Sequence, residues 1–346
     1  MQRTFSRERG NMTIYDISKK AGVSTATVSR VLNGSIHVSE ATRQKVMAVI
    51  DKYGYTPNAF ARGLGLNSMK TIGIMCADSS DIYLAKAIYY LEQKLRANCY
   101  DSILCCTGYE LSGKKSAMNL LITKKVDGII LAGSHFLYQD DRDNQYIVDA
   151  AKQVPVMLMN ALMDAPNVYS ITSDDYSSTY EATKYLLASG ISDILYFYNA
   201  VSYSGQRKLA GFREAMEESG FPLDSRLIQY YSGSPEDMDA MVEHLTRLHM
   251  KGITFHGILA SDDLLALAAV KYAKQTGYSV PEDFSVIGYN NSILVKCCDP
   301  ELTSIDNKSE KICQHLINTL MGVLCGTEMP GKTILAGELI RRGTTR

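Results

Sequence analysis

From residue 71 onward the chain alternates short, continuously apolar runs with amphipathic stretches. The runs fall at 71–76, 102–106, 128–132, 155–159, 194–198, 256–260 and 284–288, and helical spacing recurs near 81–98, 112–125, 174–189, 205–219, 235–250, 261–276 and 307–324. Strands that are apolar throughout, each followed by a helix, predict a parallel sheet covered on both faces. About ten such strands exceed one comfortable open sheet, so two α/β lobes are expected, with the first crossing near Asn160-Ala161-Leu162. Ligands of such folds sit beyond the carboxyl ends of the strands, here between the lobes.

The first seventy residues carry no strand pattern. Thr13 with Asp16 opens one short helix that Ala21-Gly22 ends; Ser24 caps a second that stops at Asn33-Gly34; Ser39 caps a third that runs from Glu40 to about Tyr53 and stops at Gly54. Two short helices joined by a Gly-containing turn make a helix-turn-helix candidate whose second helix would enter the DNA major groove.

Charge sharpens this division. Residues 1–70 hold eleven Lys/Arg against four Asp/Glu, a net +7, whereas the remainder is −8. A basic end on an acidic body is the footprint of a nucleic-acid-binding module attached to a domain with another task. At 346 residues the chain has room for two or three units. It has no apolar run of bilayer length and a polar, basic start, from which a cytoplasmic location is expected. The eight cysteines (Cys76, Cys99, Cys105, Cys106, Cys297, Cys298, Cys313 and Cys325) show no C-x-x-C spacing and are expected as reduced core residues.

The segments Thr13-Ile-Tyr-Asp-Ile-Ser-Lys-Lys-Ala-Gly-Val-Ser24 and Thr27-Val-Ser-Arg-Val-Leu-Asn33 resemble the headpiece of the lactose/galactose repressor (LacI/GalR) family. Tyr55-Thr-Pro-Asn58 with Ala61-Arg62 resembles its hinge, 127–131 and 285–288 its core strands, Pro300-Glu-Leu-Thr303 a return crossing and 339–344 its C-terminal strand, so the likeness spans Met12 to Thr344. It implies a multidomain chain: a small all-α helix-turn-helix headpiece (12–56), a hinge helix and linker (57–70), and an α/β two-lobed periplasmic-binding-protein-like effector domain (71–346). The expected N-lobe is about 71–160 and 301–324, the C-lobe about 162–297 and 326–346. It further implies a sequence-specific, dimeric regulator, a repressor in most cases, whose affinity for double-stranded operator DNA is set by a small molecule, a sugar or an anionic sugar derivative. No cofactor or metal is expected.

In the second helix Thr25 and Ala26 would face base edges and Arg30 could reach a guanine O6/N7 edge. Ser24, Thr27 and Ser29 would contact phosphates, cap or pack. Thr13, Tyr15, Asn33 and Asn58 complete the headpiece set that the likeness implies. Gly63 and Gly65 weaken the hinge helix, which should fold only when paired with its mate, with Ala61 and Arg62 at the DNA and Leu64 as a minor-groove wedge.

The family's effector positions fall on Asp78, Tyr83, Ser134, Asn160, Lys208 with adjacent Arg207, Ser261, Asp262 and Asn290. Asn160, Lys208 and Asn290 stand where Asp, Arg and Asp are usual. Lys cannot reproduce the bidentate Arg grip, and two lost carboxylates beside Lys208 and Arg207 move the expected cleft toward positive charge and an anionic ligand.

Enzyme readings find no support: there is no H-E-x-x-H, G-x-S-x-G or P-loop. His244 and His249 are expected on a helix surface, and the Asp pairs at 140–141, 174–175 and 262–263 as helix starts. A regulator with a degenerate cleft is the alternative, and a transport-type sugar-binding module a remote one, since that class needs a signal peptide and has no headpiece. Helices 81–98, with Ala85, Ile88, Tyr89 and Leu95, and 307–324 are candidates for packing or a dimer face. With the chain ending at Arg346 directly after its last strand and no heptads there, a dimer that does not assemble further through its C-terminus is expected.

Overall fold

The computed structural model describes residues 12–32, 34–55, 68–221 and 224–346, and the chain divides into two units, Met1–Lys70 and Thr71–Arg346. In the first unit α1 (Ile14–Ala21), α2 (Thr25–Leu32) and α3 (Glu40–Tyr53) begin where the capping signals place them. Thr13 and Asp16 close a reciprocal capping box, and Gly22 and Gly54 end α1 and α3 in the left-handed conformation that only glycine adopts without strain. Ile17, Ala21, Val28, Val31, Val46 and Ile50 form the small core, and the Lys20 ammonium lies 4.3 Å from the Tyr53 ring centroid, linking α1 to α3. Asn33 and the expected hinge residues Asn58, Ala61, Arg62 and Leu64 lie outside the described residues.

The second unit carries β1 (Thr71–Cys76), α4 (Ile82–Ala97), β2 (Asp101–Cys106), α5 (Leu111–Thr123), β3 (Gly128–Ala132), α6 (Gln145–Ala151), β4 (Val156–Met159), β5 (Val168–Ser173), α7 (Asp175–Ala188), β6 (Ile194–Tyr198), α8 (Tyr203–Glu218), β7 (Ile228–Tyr230), α9 (Met238–Met250), β8 (Gly257–Ala260), α10 (Asp263–Gln275), β9 (Ser285–Tyr289), β10 (Thr303–Asp306), α11 (Ser309–Leu324), β11 (Lys332–Leu335) and β12 (Glu338–Ile340). Two six-stranded sheets result, ordered β11-β5-β4-β3-β1-β2 and β12-β10-β9-β8-β6-β7. Each is parallel except for β12, which runs antiparallel to β10. The buried central strands are β1, β3 and β4 in one lobe and β8 and β9 in the other.

Lobe membership corrects the sequence reading. The chain crosses three times as expected, but later each time: β5 stays in the first sheet, β10 in the second and β11 in the first. The crossings therefore fall between Ser173 and Asp175, between Asp306 and Ser309, and between Leu335 and Glu338. These strands are short or mixed in polarity, and each has one partner distant in sequence, β5 with β11 and β10 with β12, so local hydropathy does not assign them.

Three smaller expectations also change. Of the cysteines, Cys76 and Cys313 are buried and Cys105 and Cys298 partly so, but Cys99, Cys106, Cys297 and Cys325 are exposed, on an edge strand, in turns and at a helix end; all are free thiols. The buried stripe of α4 is Leu84, Ala87, Leu91 and Leu95, packed on Ile312, Leu316 and Leu320 of α11, while Ala85 and Tyr89 face outward. His244 is half-buried rather than on the surface, its ring stacked 5.6 Å from Phe197. Among the described residues no helix is long and apolar enough to cross a membrane, and no His/Cys/Asp/Glu group could hold a metal ion.

Candidate nucleic-acid interface and interlobe cleft

In the headpiece the structure separates residues that build α2 from those left free to read. Ser24 Oγ accepts the Thr27 N–H at 3.1 Å and lies 2.9 Å from the Thr27 hydroxyl, so both side chains are committed to the cap. Thr13 is likewise held by Asp16, its hydroxyl donating at 2.7 Å, and the bonds from Thr13 hold the Asp16 carboxyl below its usual range. Val28 and Val31 turn inward, Thr25 and Ser29 are half-buried, and Ala26 and Arg30 are exposed. Tyr15, 72 % exposed on α1, presents a phenol ring to solvent. Arg43 is engaged within the unit, donating to the Ser35 carbonyl at 2.7 Å. Lys19, Lys20, Arg30, Lys45 and Lys52 are exposed cations. A polar, cation-bearing face with small side chains at the start of α2 fits groove entry, where bulk would prevent approach.

The cleft is built where β1, β3 and β4 of one lobe and β8 and β9 of the other end. Asn160 follows β4 and Asn290 follows β9, both at positive φ (60° and 95°). Each donates its backbone N–H to the neighbouring strand, Asn160 to the Ile171 carbonyl at 3.0 Å and Asn290 to the Ile305 carbonyl at 2.8 Å. The same turn thus recurs in both lobes, and the left-handed backbone favours Asn there. Asn160 Nδ2 donates to the Tyr83 hydroxyl at 2.6 Å, and Asn307 Nδ2 donates to Asn290 Oδ1 at 3.0 Å. Asn160 Oδ1 and Asn307 Oδ1 are buried without a partner among the described residues. Across the cleft Ser134 Oγ donates to Ser202 Oγ at 2.9 Å, joining the loop after β3 to the start of α8.

Lys208, 8 % exposed, donates to the Ser261 carbonyl at 3.0 Å and lies 3.5 Å from the Tyr289 ring centroid. Tyr289 donates to Asp175 Oδ1 at 2.6 Å. Desolvation lowers the Lys208 pKa, against the pull of Asp175, Asp262, Asp263 and Asp81. Desolvation raises that of Asp175, opposed by Lys208 and by hydrogen bonds from Ser204 and Tyr289. Asp262 caps α10, accepting the Leu265 N–H and the Asn199 amide, each at 2.8 Å. Asp263 accepts from Ser304 Oγ at 2.5 Å and the Ser292 N–H at 2.6 Å. A Cβ on Gly288 would stand 2.5 Å from Asp263 Oδ1, so the glycine admits that carboxylate beside β9. Asp78 turns back on Ser80, accepting its N–H and its hydroxyl at 2.8 Å each.

The N-terminal residues 13–58 match the family model described as bacterial regulatory proteins, lacI family, and residues 183–345 match that of a periplasmic binding protein-like domain. An HTH-type transcriptional regulator of Lachnoclostridium phytofermentans is 50 % identical over 334 residues, covering 96 % of this chain and 99 % of that protein. The chain belongs to the lacI family of bacterial regulatory proteins. Among solved structures, the lac repressor dimer bound to operator and the anti-inducer ONPF superposes with TM-score 0.84 at 25 % identity, covering 96 % of this chain and 99 % of that one. The CelR–cellobiose complex superposes with TM-score 0.69 at 26 % identity over the same shares. Like its relatives, this lacI-family chain is a DNA-binding transcriptional regulator.

Within this lacI-family frame the structure brings Tyr83 to Asn160, and Lys208 to Ser261 and the Asp262 charge. Arg207 is not part of the group: it is exposed, with its guanidinium 4.8 Å from the Tyr176 ring centroid on the outer face of α7. The expected excess of positive charge is therefore reversed, one ammonium facing several carboxylates. The Asp pairs start helices as expected, one member of each as the cap and the other as the first helical residue. Asp140, Asp174 and Asp262 cap, whereas Asp175 and Asp263 are buried beside Lys208, which sequence reasoning missed. The doubling of Asp at a strand-to-helix junction was the available signal: one carboxylate suffices to cap, leaving the second to be explained. Asn307 and Ser202 carried no such mark.

Proposed function

We propose that a small, hydroxyl-rich, non-anionic molecule held between the lobes sets the affinity with which a dimer of this regulator holds a two-fold-symmetric operator, in the sense of repression. The observation that carries this reading is the pair of buried acceptors Asn160 Oδ1 and Asn307 Oδ1, which have no partner among the described residues, in a cleft where Lys208 is outnumbered by Asp175, Asp262, Asp263 and Asp81. Buried acceptors call for donors, and hydroxyls supply them without like-charge repulsion. Tyr83 and Tyr289 add aromatic surface. On the DNA side, Ala26 and Arg30 meet base edges, Thr25 and Tyr15 assist, and the exposed lysines meet phosphates. Hinge residues Asn58, Ala61, Arg62 and Leu64, with Asn33, keep their sequence-based assignments to DNA.

A thermal-shift screen of neutral mono- and disaccharides against sugar phosphates and uronic acids tests the cleft. At a hundred times its dissociation constant a ligand adds ~2.7 kcal/mol, or roughly 5 to 10 °C at ~2 to 4 °C per kcal/mol. We expect that shift from a neutral member. A shift from anionic members alone overturns the ligand class, and no shift from any member favours a degenerate cleft.

A further inference from the structure

Lys114 on α5 is 1 % exposed and forms no salt bridge among the described residues. Its Nζ donates to the His135 carbonyl at 2.6 Å and to the Tyr138 hydroxyl at 2.7 Å, 4.4 Å from the Tyr138 ring centroid and 5.6 Å from that of Phe136. An ammonium buried without a carboxylate is costly, so its partners must need it. Those partners belong to the loop after β3, whose remaining ties are neutral. Tyr146 donates to the Phe136 carbonyl at 2.7 Å, and the Asn144 amide accepts the Tyr138 N–H and donates to its carbonyl at 2.8 Å each. Gly133, at φ 111°, starts the loop against Leu84, where a Cβ would stand 3.0 Å from Leu84 Cδ2. The loop ends its task at Ser134, whose hydroxyl meets Ser202 of the other lobe.

We propose that Lys114 is the positioning residue that fixes the 133–138 segment for contact with the second lobe, and that its charge makes this coupling between the lobes depend on pH. The groups facing it are Glu110 at the N-cap of the same helix, His135 and Tyr138 on the loop, Tyr109, whose ring meets His135 edge-on at 5.0 Å, and Asp143, which acts through Tyr138. Burial brings the Lys114 ammonium down to about 8, against the pull of Glu110. Burial and then the Lys114 charge push His135 down to about 4, so it is neutral above pH 6. Burial raises Tyr138 and Tyr109. Between pH 7 and 9.5 Lys114 is thus the member of this group that titrates. A neutral amine still donates, and because the packed site lowers the lysine pKa while opening would restore it, raising the pH through about 8 favours the packed arrangement and the loop tightens.

The inference rests on the ligand-controlled cleft only for its regulatory consequence, and its test uses no ligand, so the two can fail separately. Hydrogen exchange of the full chain is followed by mass spectrometry from pH 7 to 9.5, with rates corrected for base catalysis. In the wild type, protection of 133–138 should rise from about pH 8 onward, by up to about tenfold per pH unit, because the packed state gives up the proton that an opened one would keep. Lys114→Met should show low protection at every pH, and Lys114→Arg, which stays charged, no rise. Ser134→Ala should raise exchange at 200–206 while leaving the rise at 133–138 in place. Absence of the wild-type rise, a rise that survives in Lys114→Met, or wild-type protection in that variant overturns the proposal. If Lys114→Met fails to fold, the wild-type rise and its loss in Lys114→Arg decide.

Discussion

The headpiece and the cleft meet opposite demands with the same residue types. In the headpiece the functional side chains are exposed, and the hydroxyls of Thr13, Ser24 and Ser39 serve local caps three residues away. In the cleft the functional side chains are buried or half-buried, and several polar groups find their partners far along the chain, as Tyr289 finds Asp175 and Ser304 finds Asp263. A local device leaves a sequence signature and contributes about 1 kcal/mol. A non-local one leaves almost none, and its removal strands a buried charge.

The largest test of this contrast is Lys208→Met, which removes a buried cation facing Asp175, Asp262 and Asp263. We expect a loss on the order of 3 kcal/mol at pH 7 by urea denaturation. Asp175 already has a raised pKa, so the folded variant binds protons more readily than the unfolded chain, and stability should recover as pH falls toward 5. Adding Asp175→Asn should restore part of the loss. A pH-independent deficit of a few tenths would show that Lys208 acts through packing alone.

The next test sits in the headpiece. Arg30→Ala should lower specific operator affinity by about 1 to 3 kcal/mol, roughly five- to 150-fold, with less change on non-specific DNA at the same salt. Equal losses on both would reduce Arg30 to a phosphate contact. Any sugar-induced thermal shift should be unchanged, because Arg30 has no part in the cleft.

These two experiments also mark what the sequence could disclose. The helices of the headpiece and the strands β1, β2, β3, β4, β6, β8 and β9 were legible because caps and apolar runs act within a few residues. β5, with the sequence Val-Tyr-Ser-Ile-Thr-Ser, and the three- or four-residue β7, β10, β11 and β12 take their identity from pairing, so the lobe crossings were misplaced. Topology marked the positions after the central strands as places for chemistry, and the family likeness put Asn160, Ser261, Asp262 and Asn290 there. Their charge environment was not, because Arg207 and Lys208 are adjacent in sequence yet one is exposed and the other buried. That choice depends on which face of α8 meets the second sheet.

A smaller effect is expected from Ser24→Ala, which removes the acceptor of the Thr27 N–H. It should cost the headpiece about 1 kcal/mol, and Ser24→Asn or Ser24→Asp should restore most of it. Circular dichroism melting would show a lowered headpiece transition with the larger unit unmoved. A drop in the larger unit as well would mean that the two do not melt independently.

The smallest effect isolates environment from residue type by comparing a second lysine with Lys208. Lys308 stands at the second lobe crossing, its Nζ 2.9 Å from Asp306 Oδ2 and 2.6 Å from Glu338 Oε2. Glu338 lies at the third crossing, so this ion group ties two of the three connections together. Bonds first to Glu338 and then to Asp306 raise the Lys308 pKa, the reverse of Lys208, whose larger influence is desolvation. Because the Glu338 side chain is 61 % exposed, screening should hold the contribution to about 0.2 to 1 kcal/mol. A lysine pKa raised on folding stabilises fully below its unfolded value, ordinarily about 10.5, and that stabilisation is lost as pH rises through the folded one. The difference between wild type and Lys308→Met should therefore be constant from pH 6 to 9, shrink only in strong alkali, and largely vanish in 1 M salt, where the screening length is about 3 Å. Lys208→Met should keep its deficit in the same salt, since buried charges are screened much less. If salt removed both deficits alike, burial would not be what distinguishes the two lysines, and the contrast between exposed and buried chemistry would fail at its most controlled point.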